Sequence, residues 1–322
     1  MLAPLPASAN RMRRTLAVLL PVNMVAVTEL PAQPPIPPTR RMSAADIDTV
    51  TLARPSIRQP YGADSLQWGE LRLPDRQGRA ARAPVAVLLH GGCWIASFAT
   101  LRNTAPLADA LAAGGMATWN VEYRRSDSPG GGWPNTFLDV AAAVDHLRVL
   151  ARSFPIDTAR VVIVGHSAGG QLALWAASRG AMAPASPLYR ADPLRPAAVV
   201  SLGGITDLDE FAQRAASGCG RGVPRLLGGP PAELPDRLAA SSPIRRLPLG
   251  TPTLHIAGEQ DGIAPDSVRQ GYVQAARAAG DAPSVNRTVP GGHFELLDPR
   301  TEAGRTVVRE LLSLLPSTRP GG

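Results

Sequence analysis

The stretch VVIVGHSAGGQLALWAA, residues 161–177, decides how the chain is expected to fold. A run of β-branched residues, typical of a buried strand, ends at Gly165. Directly after it the pattern changes to small and amphipathic residues that suit a helix. Ser167 stands at the corner between the two elements. The stretch alone leaves two interpretations of Ser167, an exposed reactive hydroxyl or the ordinary cap of a helix.

Strands and helices alternate along most of the remaining chain. A continuous apolar run such as VAVLL, residues 85–89, is expected where a strand is buried on both faces of a sheet. The alternation predicts an α/β fold with a mostly parallel, doubly wound sheet and helices on both faces. Strands are predicted over residues 66–73, 85–89, 117–123, 159–164, 197–202, 253–257 and 284–289. Helices are predicted over residues 101–113, 135–154, 265–279 and 301–315, with another directly after Ser167.

Residues 206–249, which we call the insertion, interrupt this alternation. The segment is rich in glycine, proline and arginine and contains no clear strand. It separates two regular strand–helix units, so we expect a small lid-like insertion over the carboxyl edge of the sheet, where loops carry function. Phe211, Leu226 and Leu227 are expected to shape the mouth of a pocket there.

Residues 1–43 differ in character from residues 44–322, which are predicted to form the folded domain. The basic run RMRR, residues 11–14, precedes the mostly apolar residues 15–27, the pattern of a secretory signal peptide whose translation could start at Met12. A proline-rich linker follows. The apolar run is too short to span a bilayer, so no membrane span is expected in the mature protein. Export to the periplasm or medium is predicted, with a cytoplasmic location as the alternative.

Composition excludes several classes of protein. The chain has 322 residues and a net charge of +7, and all 33 basic residues are arginine. These arginines are scattered and accompany no nucleic-acid-binding motif, so a solvated basic surface is predicted. Two cysteines, Cys93 and Cys219, form neither a zinc motif nor a disulfide scaffold. Two free thiols are favoured over a single bridge, and a homodimer is left open.

Residues 165–169, GHSAG, fit the pattern G-x-S-x-G between a strand and a helix. So sharp a turn crowds the serine, and Gly165 and Gly169 provide the room. The turn would expose the Ser167 hydroxyl and place the backbone N–H of Ala168 at a helix N-terminus, facing a developing oxyanion. The strand–turn–helix context favours a nucleophile over a helix cap.

A second motif, HGGCW at residues 90–94, follows an earlier buried strand. Its two glycines allow a tight turn that directs N–H groups into a cavity, so Gly92 and Cys93 are predicted to donate backbone N–H groups to the oxyanion. The Cys93 amide, rather than its sulfur, is the functional group. His90 is expected to support the loop. Trp94 could form the floor of the substrate pocket, although packing alone would also explain it.

A serine nucleophile needs a base that a carboxylate orients. Of the five histidines, His146 is expected within a helix, His255 within a strand, and His166 with its side chain pointing away from the serine. His293 follows the last strand on a glycine-rich loop and is predicted to be the base.

The carboxylate should follow the preceding strand, in AGEQDGIAP at residues 257–265. Asp261 is selected there, and Glu259 and Asp266 are the alternatives. A turn residue before Pro265 would explain Asp261 equally well if it stood alone. The order Ser167, Asp261, His293, each after a predicted strand, favours the catalytic interpretation of all three.

Four motifs, HGGCW, GHSAGG, AGEQDGIAP and GGHF, together resemble the α/β-hydrolase superfamily over residues 59–315. The HGGxW form with GHSAGGQLAL is similar to a branch of esterases and kynurenine-formamidase-like hydrolases related to hormone-sensitive lipase. The resemblance implies a triad of Ser167, His293 and Asp261, with Gly92, Cys93 and Ala168 as oxyanion hole. Many lipase-like members carry glycine and arylformamidase-like members often tyrosine where this chain has Cys93, so the resemblance does not define the substrate.

These features predict a carboxylesterase-like serine hydrolase that cleaves a small acyl or aryl ester through an acyl-enzyme intermediate. No metal or organic cofactor is expected. An arylformamidase, which would hydrolyse an N-formyl aromatic amide with the same groups, is the alternative. A small-molecule-binding protein on the same scaffold is disfavoured, because such proteins usually lack a triad member and here all three are present.

Overall fold

The computed structural model describes residues 41–75, 82–215 and 218–314, all of which belong to one structural unit, Pro35–Gly322. The predicted signal peptide and nearly all of the linker lie outside the described residues. The prediction of export rests on that segment. Helix α1 begins at Ala44, where the sequence predicts the folded domain to start. In the described part of the chain, no helix has both the length and the apolar character needed to cross a bilayer.

A single sheet of eight strands forms the centre of the fold, in the order β1-β2-β4-β3-β5-β6-β7-β8. The antiparallel pairs are β1 with β2 and β2 with β4, and every other neighbouring pair is parallel. The strands are β1 Ile57–Pro60, β2 Trp68–Arg72, β3 Ala83–Leu89, β4 Ala117–Val121, β5 Ile156–His166, β6 Ala198–Leu202, β7 Thr253–Gly258 and β8 Ser284–Val289.

Helices cover both faces of this sheet, so the doubly wound arrangement predicted from the sequence is confirmed. In β3, Val87 packs into a core shared with α3 and α5, and the next residue, Leu88, packs into a core shared with α2 and α10. Successive strand residues point to opposite faces, which is why this strand is apolar throughout. The helices are α1 Ala44–Asp48, α2 Ala105–Ala113, α3 Asn135–Asp145, α4 Leu147–Ser153, α5 Ala168–Ala177, α6 Leu208–Arg214, α7 Gly222–Leu227, α8 Pro235–Ser241, α9 Asp266–Ala278 and α10 Glu302–Ser313.

Three elements differ from the sequence predictions. The helix predicted over residues 135–154 is two helices joined at His146, which keeps helical backbone angles of φ −62° and ψ −18°. Strand β5 starts at Ile156 because its first residues pair with β3 before a register shift at Pro84/Val85. Strand β1 was not predicted, since Ile57–Pro60 is a short, largely exposed edge without apolar alternation.

The insertion lies between β6 and β7 and contains α6, α7 and α8, connected by short 3-10 turns. Asp207 caps α6 by accepting hydrogen bonds from the backbone N–H groups of Asp209 at 3.0 Å and Glu210 at 3.4 Å. Each helix spans two turns or less, which is too short for a periodic pattern to reveal in a sequence. The lid-like role of the insertion stays a prediction.

Candidate active site

Ser167 joins β5 to α5 in a backbone conformation that few non-glycine residues adopt, with φ 56° and ψ −120°. Such a conformation costs about 1–3 kcal/mol and persists only where the surroundings impose it. The Ser167 side chain makes no capping hydrogen bond to α5, while its backbone N–H donates to Leu202 O at 2.8 Å. The helix-cap interpretation of this serine therefore fails. The residue is only 4% exposed, so its hydroxyl is more enclosed than the sequence predicts.

The glycines around the serine are required by close backbone contacts. A Cβ at Gly165 would collide with the carbonyl group of Gly169, and one at Gly169 would collide with the carbonyl oxygens of Leu89 and His90. At Gly91, a Cβ would lie 2.8 Å from Ser167 Cβ. The turn and the loop after β3 therefore pack directly against each other, as the glycine pattern of the sequence indicates.

Asp261 and His293 form a hydrogen-bonded pair after β7 and β8. His293 Nδ1 donates to Asp261 Oδ2 at 2.8 Å, and the Oδ1 atom of Asp261 accepts from the backbone N–H groups of Ile263 at 2.8 Å and Ala264 at 3.2 Å. Burial alone would raise the pKa of Asp261, but the hydrogen bond and charge of His293 and the two amides lower it below its usual value. Asp261 is therefore ionised at neutral pH, as its predicted orienting role requires.

Consecutive residues at the end of β6 bring the serine and this pair together. Leu202 O accepts the Ser167 N–H, and a Cβ at the next residue, Gly203, would lie 2.5 Å from Asp261 Oδ2 and 2.8 Å from His293 Nδ1. Within the described residues no hydrogen bond joins the Ser167 hydroxyl to His293, so that contact stays a prediction. The alternative acids, Glu259 and Asp266, are both exposed on the surface.

His166 packs against His293 instead of pointing away from the site. The two rings lie 4.4 Å apart between centroids, and His166 Nε2 donates to the backbone carbonyl of His293 at 3.0 Å. Complete burial, together with the nearby His293, lowers the pKa of His166 to about 3. His166 is therefore a neutral side chain that supports the histidine loop, and the prediction that it is not the base agrees with this placement.

Residues 90–96, which we call the oxyanion loop, have an unusual backbone. Gly92, Cys93 and Trp94 all have positive φ angles, of 100°, 52° and 57°. Among the described residues, the backbone N–H groups of Gly92, Cys93 and Ala168 donate to no acceptor. Three unpaired donors close to the serine turn fit the predicted oxyanion hole, whose assignment remains a proposal.

His90 supports this loop through a buried polar network that the sequence did not reveal. His90 Nδ1 lies 2.8 Å from Gly91 O and His90 Nε2 lies 3.0 Å from Glu122 Oε1, and Arg125 forms an ion pair with the same carboxylate. Tyr123 stacks on the His90 ring and donates its hydroxyl to His90 O at 2.7 Å. The only sequence signal is an acidic residue, Glu122, within a predicted strand over residues 117–123.

Cys93 and Cys219 form a disulfide, with a Cα–Cα distance of 5.2 Å. The prediction of two free thiols is therefore wrong. The two residues are 126 positions apart, and only the packing of the insertion against the oxyanion loop brings them together. Sequence spacing carries no information about so distant a pair.

Trp94 is completely buried, donates its indole N–H to Gln171 Oε1 at 3.1 Å and meets Phe211 of α6 edge to face. Packing accounts for this side chain, and its predicted role in the substrate pocket stays a prediction. His146 stacks near Trp119, and His255 is buried against Tyr272. Neither histidine hydrogen-bonds to the serine turn, in agreement with the structural roles expected for them.

Comparisons with known proteins agree with this architecture. The BD-FAE family model matches residues 70–271. A truncated carbohydrate esterase from gut microbiota is 24% identical, with a TM-score of 0.67 over 81% of this chain and 96% of that one. Esterase B from Lactobacillus rhamnosis is 20% identical, with a TM-score of 0.70 over 84% and 89% of the two chains.

A bifunctional GH43-CE protein from Bacteroides eggerthii is 25% identical, with a TM-score of 0.63 over 80% of this chain and 37% of that one. No curated protein matches the sequence. The α/β-hydrolase fold predicted from the motifs is confirmed by the family match and by these structures.

Proposed function

The chain belongs to the BD-FAE family, an α/β-hydrolase-type esterase domain, and from this premise we propose that it cleaves a carboxylic ester through Ser167, His293 and Asp261. The observation that carries the proposal is the pair of the buried Asp261 and the partly buried His293, joined at 2.8 Å beside an uncapped serine with φ 56°. This is the set of groups that nucleophilic acyl transfer requires.

In the first step, the Ser167 hydroxyl attacks the ester carbonyl while His293 Nε2 takes its proton. Asp261 holds Nδ1–H, which fixes the tautomer and stabilises the imidazolium that forms. The oxyanion accepts hydrogen bonds from the free N–H groups of the oxyanion loop and of Ala168. Each such donor contributes about 3 kcal/mol to transition-state stabilisation.

In the second step, His293 gives its proton to the alcohol, which leaves, and the acyl group remains on Ser167. Water then enters, and the same histidine removes its proton as it attacks the acyl carbonyl. Collapse of the second tetrahedral intermediate releases the acid and restores the serine. Every proton passes through His293, so no metal or organic cofactor takes part in these steps.

The alternative substrate is an N-formyl aromatic amide, cleaved by the same groups with an amine as leaving group. A third class comes from the structural neighbour named as a carbohydrate esterase, in which the alcohol is a sugar hydroxyl. We propose small acyl or aryl esters first, because resonance with nitrogen stabilises an amide carbonyl and makes it less readily attacked than an ester carbonyl. A panel of nitrophenyl esters, an acetylated sugar and N-formylkynurenine separates the three classes by their kcat/KM values.

The proposal predicts that Ser167→Ala removes both ester hydrolysis and labelling by a fluorophosphonate probe. Loss of the nucleophile lowers kcat by at least about 10³-fold, and Asp261→Asn lowers it by about 10⁴-fold through the wrong histidine tautomer. Ser313→Ala, at the exposed end of α10, is the matched control and keeps full labelling. Retained labelling or hydrolysis in Ser167→Ala would contradict the assignment of the nucleophile.

A further inference from the structure

We propose that the Cys93–Cys219 disulfide is a positioning element of the active site, which anchors the oxyanion loop to the insertion and sets kcat through its redox state. The inference rests on the proposed function in one respect, the oxyanion role of the loop amides. It goes further, because it assigns catalytic importance to a residue of the insertion, Cys219, and to a covalent bond that can be broken reversibly.

The position of the cross-link is the first observation. Cys93 is the middle one of three consecutive residues with positive φ angles, Gly92, Cys93 and Trp94. Residues with side chains rarely adopt this region, so the loop needs external restraint to stay in it. The disulfide applies that restraint at the residue whose own N–H is a proposed oxyanion donor.

Non-covalent contacts restrain the oxyanion loop mainly on either side of this point. Before it, His90 is held by Glu122 at 3.0 Å. After it, Trp94 O accepts from Ser126 N at 2.8 Å, and Ala96 N donates to Asp127 Oδ1 at 2.8 Å. The Gly91 carbonyl lies 2.8 Å from His90 Nδ1 and the Gly92 carbonyl accepts from Ile95 N at 2.8 Å, while the N–H groups of Gly92 and Cys93 donate to no described acceptor. The disulfide adds a covalent restraint at Cys93 to these two hydrogen bonds.

The insertion is packed against the same part of the loop. A Cβ at Gly222 of α7 would collide with Cys93 O and would lie 3.2 Å from Trp94 Cε3. Phe211 of α6 meets the Trp94 ring edge to face, at 6.4 Å between centroids. The absence of a side chain at Gly222 lets the start of α7 approach the loop closely, next to the cross-linked Cys219.

The insertion is also fastened to the loop that carries the acid. Arg214 of α6 donates to the carbonyl oxygens of Gly262 at 3.0 Å and Ile263 at 2.9 Å, directly after Asp261. Leu226 O of α7 accepts from Trp133 N at 2.8 Å. The disulfide thus connects the oxyanion loop to a segment that other contacts already hold, which is what a positioning anchor requires.

Reduction would release this anchor. A dithiol attacks one sulfur of the bridge and then closes its own disulfide, so that Cys93 and Cys219 gain two electrons and two protons as thiols. Both cysteines are partly exposed, so a small dithiol can reach the bridge. A small disulfide such as oxidised glutathione takes up the two electrons and two protons and restores the bond, because the packing around Gly222 keeps the two cysteines near each other.

The test compares oxidised protein, dithiothreitol-reduced protein and Cys219→Ser, which leaves the residue in the oxyanion loop unchanged. We expect kcat for a nitrophenyl ester to fall about 10- to 100-fold on reduction and in Cys219→Ser, the scale of a small misplacement of catalytic groups. KM should change by less than about threefold, since a transition-state interaction is lost. Reoxidation should restore kcat, and dithiothreitol should have no effect on Cys219→Ser.

Arg225→Gln is the matched control, because it changes an exposed side chain of α7 in the insertion without cutting the anchor of the oxyanion loop. Its kcat should stay within about threefold of the parent value and should still fall on reduction. Hydrogen exchange supplies a readout independent of activity. The amides of Ile95 and Ala96, which donate to Gly92 O and Asp127 Oδ1 at 2.8 Å, should exchange faster in the reduced protein and in Cys219→Ser, while those of α9 are unchanged.

Equal kcat and equal exchange in the oxidised and reduced proteins would overturn the proposal, as would a fall in kcat without faster exchange of the Ile95 and Ala96 amides. If Cys219→Ser does not fold, reversible reduction of the parent protein decides the question. An oxidised protein that neither hydrolyses esters nor reacts with a fluorophosphonate would refute the proposed function instead. In that case the exchange measurement still tests whether the disulfide anchors the loop.

Discussion

At Gly169, the turn around Ser167 leaves no room for one methyl group. An added Cβ would collide with the carbonyl oxygens of Leu89 and His90, and backbone atoms of a central strand cannot move aside. We expect Gly169→Ala to lower the free energy of unfolding by about 3 kcal/mol, the upper range for overpacking a core. Urea unfolding followed by circular dichroism measures the change.

Gly271→Ala in α9 is the matched control for this prediction. Gly271 is exposed, and a Cβ there would have no neighbour within 4 Å. The same substitution should therefore stabilise the protein by about 0.5–1 kcal/mol, through helix propensity alone. A Gly169→Ala variant as stable as the parent would show that the turn has more freedom than these contacts allow.

Single residues were predictable where the signal is local. Gly165, Ser167 and Gly169 lie within one short motif, and the physical reason for each can be stated before a structure is known. The Cys93–Cys219 bond depends on how two distant segments pack, so the sequence favoured the wrong state. The contact of His166 with His293 is likewise long-range, and adjacency to the serine gave no sign of it.

At the scale of elements, the end of β4 supports the oxyanion loop through Glu122. Burial raises the pKa of this carboxyl, but His90, Arg125 and the backbone N–H of Tyr123 together lower it below its usual value. Glu122→Gln would leave the buried Arg125 without a charged partner, and we expect a loss of about 3 kcal/mol in unfolding free energy. Guanidinium unfolding at neutral pH provides the measurement.

Glu310→Gln serves as control, since Glu310 pairs with Arg287, whose side chain is 45% exposed. Surface pairs of this kind contribute less than about 1 kcal/mol, so this variant should be almost as stable as the parent. Equal effects of the two substitutions would mean that the network behind the oxyanion loop is no more important than an ordinary surface pair.

The sequence predicts best those helices and strands that are long or have a clear apolar pattern. β3, β8 and the long α9 and α10 appear close to where periodicity places them. The short helices of the insertion and the exposed β1 strand have no comparable pattern, so the sequence could locate the insertion without describing it. The strand order places the ends of β5, β6 and β7 side by side. This arrangement is a property of the whole sheet and not of any local sequence pattern.

For the molecule as a whole, the buried neutral histidines should make the folded state less stable at acidic pH. Complete burial, with a contribution from Arg269, lowers the pKa of His255 to about 3. Between that value and about 6.5, the unfolded chain binds a proton that the folded chain excludes, so the unfolding free energy falls as the pH decreases. Through His255 alone, the unfolding free energy is about 2 kcal/mol lower at pH 5 than at pH 7.

His255→Leu should remove that contribution, because leucine cannot bind a proton and the site is apolar on the side of Tyr272. The unfolding free energy of the variant should fall by about 2 kcal/mol less than that of the parent between pH 7 and pH 5. Denaturant titrations at both pH values test this. Parallel losses in parent and variant would show that His255 is protonated in the folded state.

The disulfide also closes a covalent ring in the chain, formed by residues 93–219. The chain from Cys93 to Cys219 contains α2, β4, α3, α4, β5, α5, β6 and α6, and so includes the proposed nucleophile Ser167. Asp261 and His293 lie outside the ring, on the tail that follows it. A protease that cuts the chain once within the ring would therefore leave its mass unchanged apart from one water, until a reductant separates the two pieces.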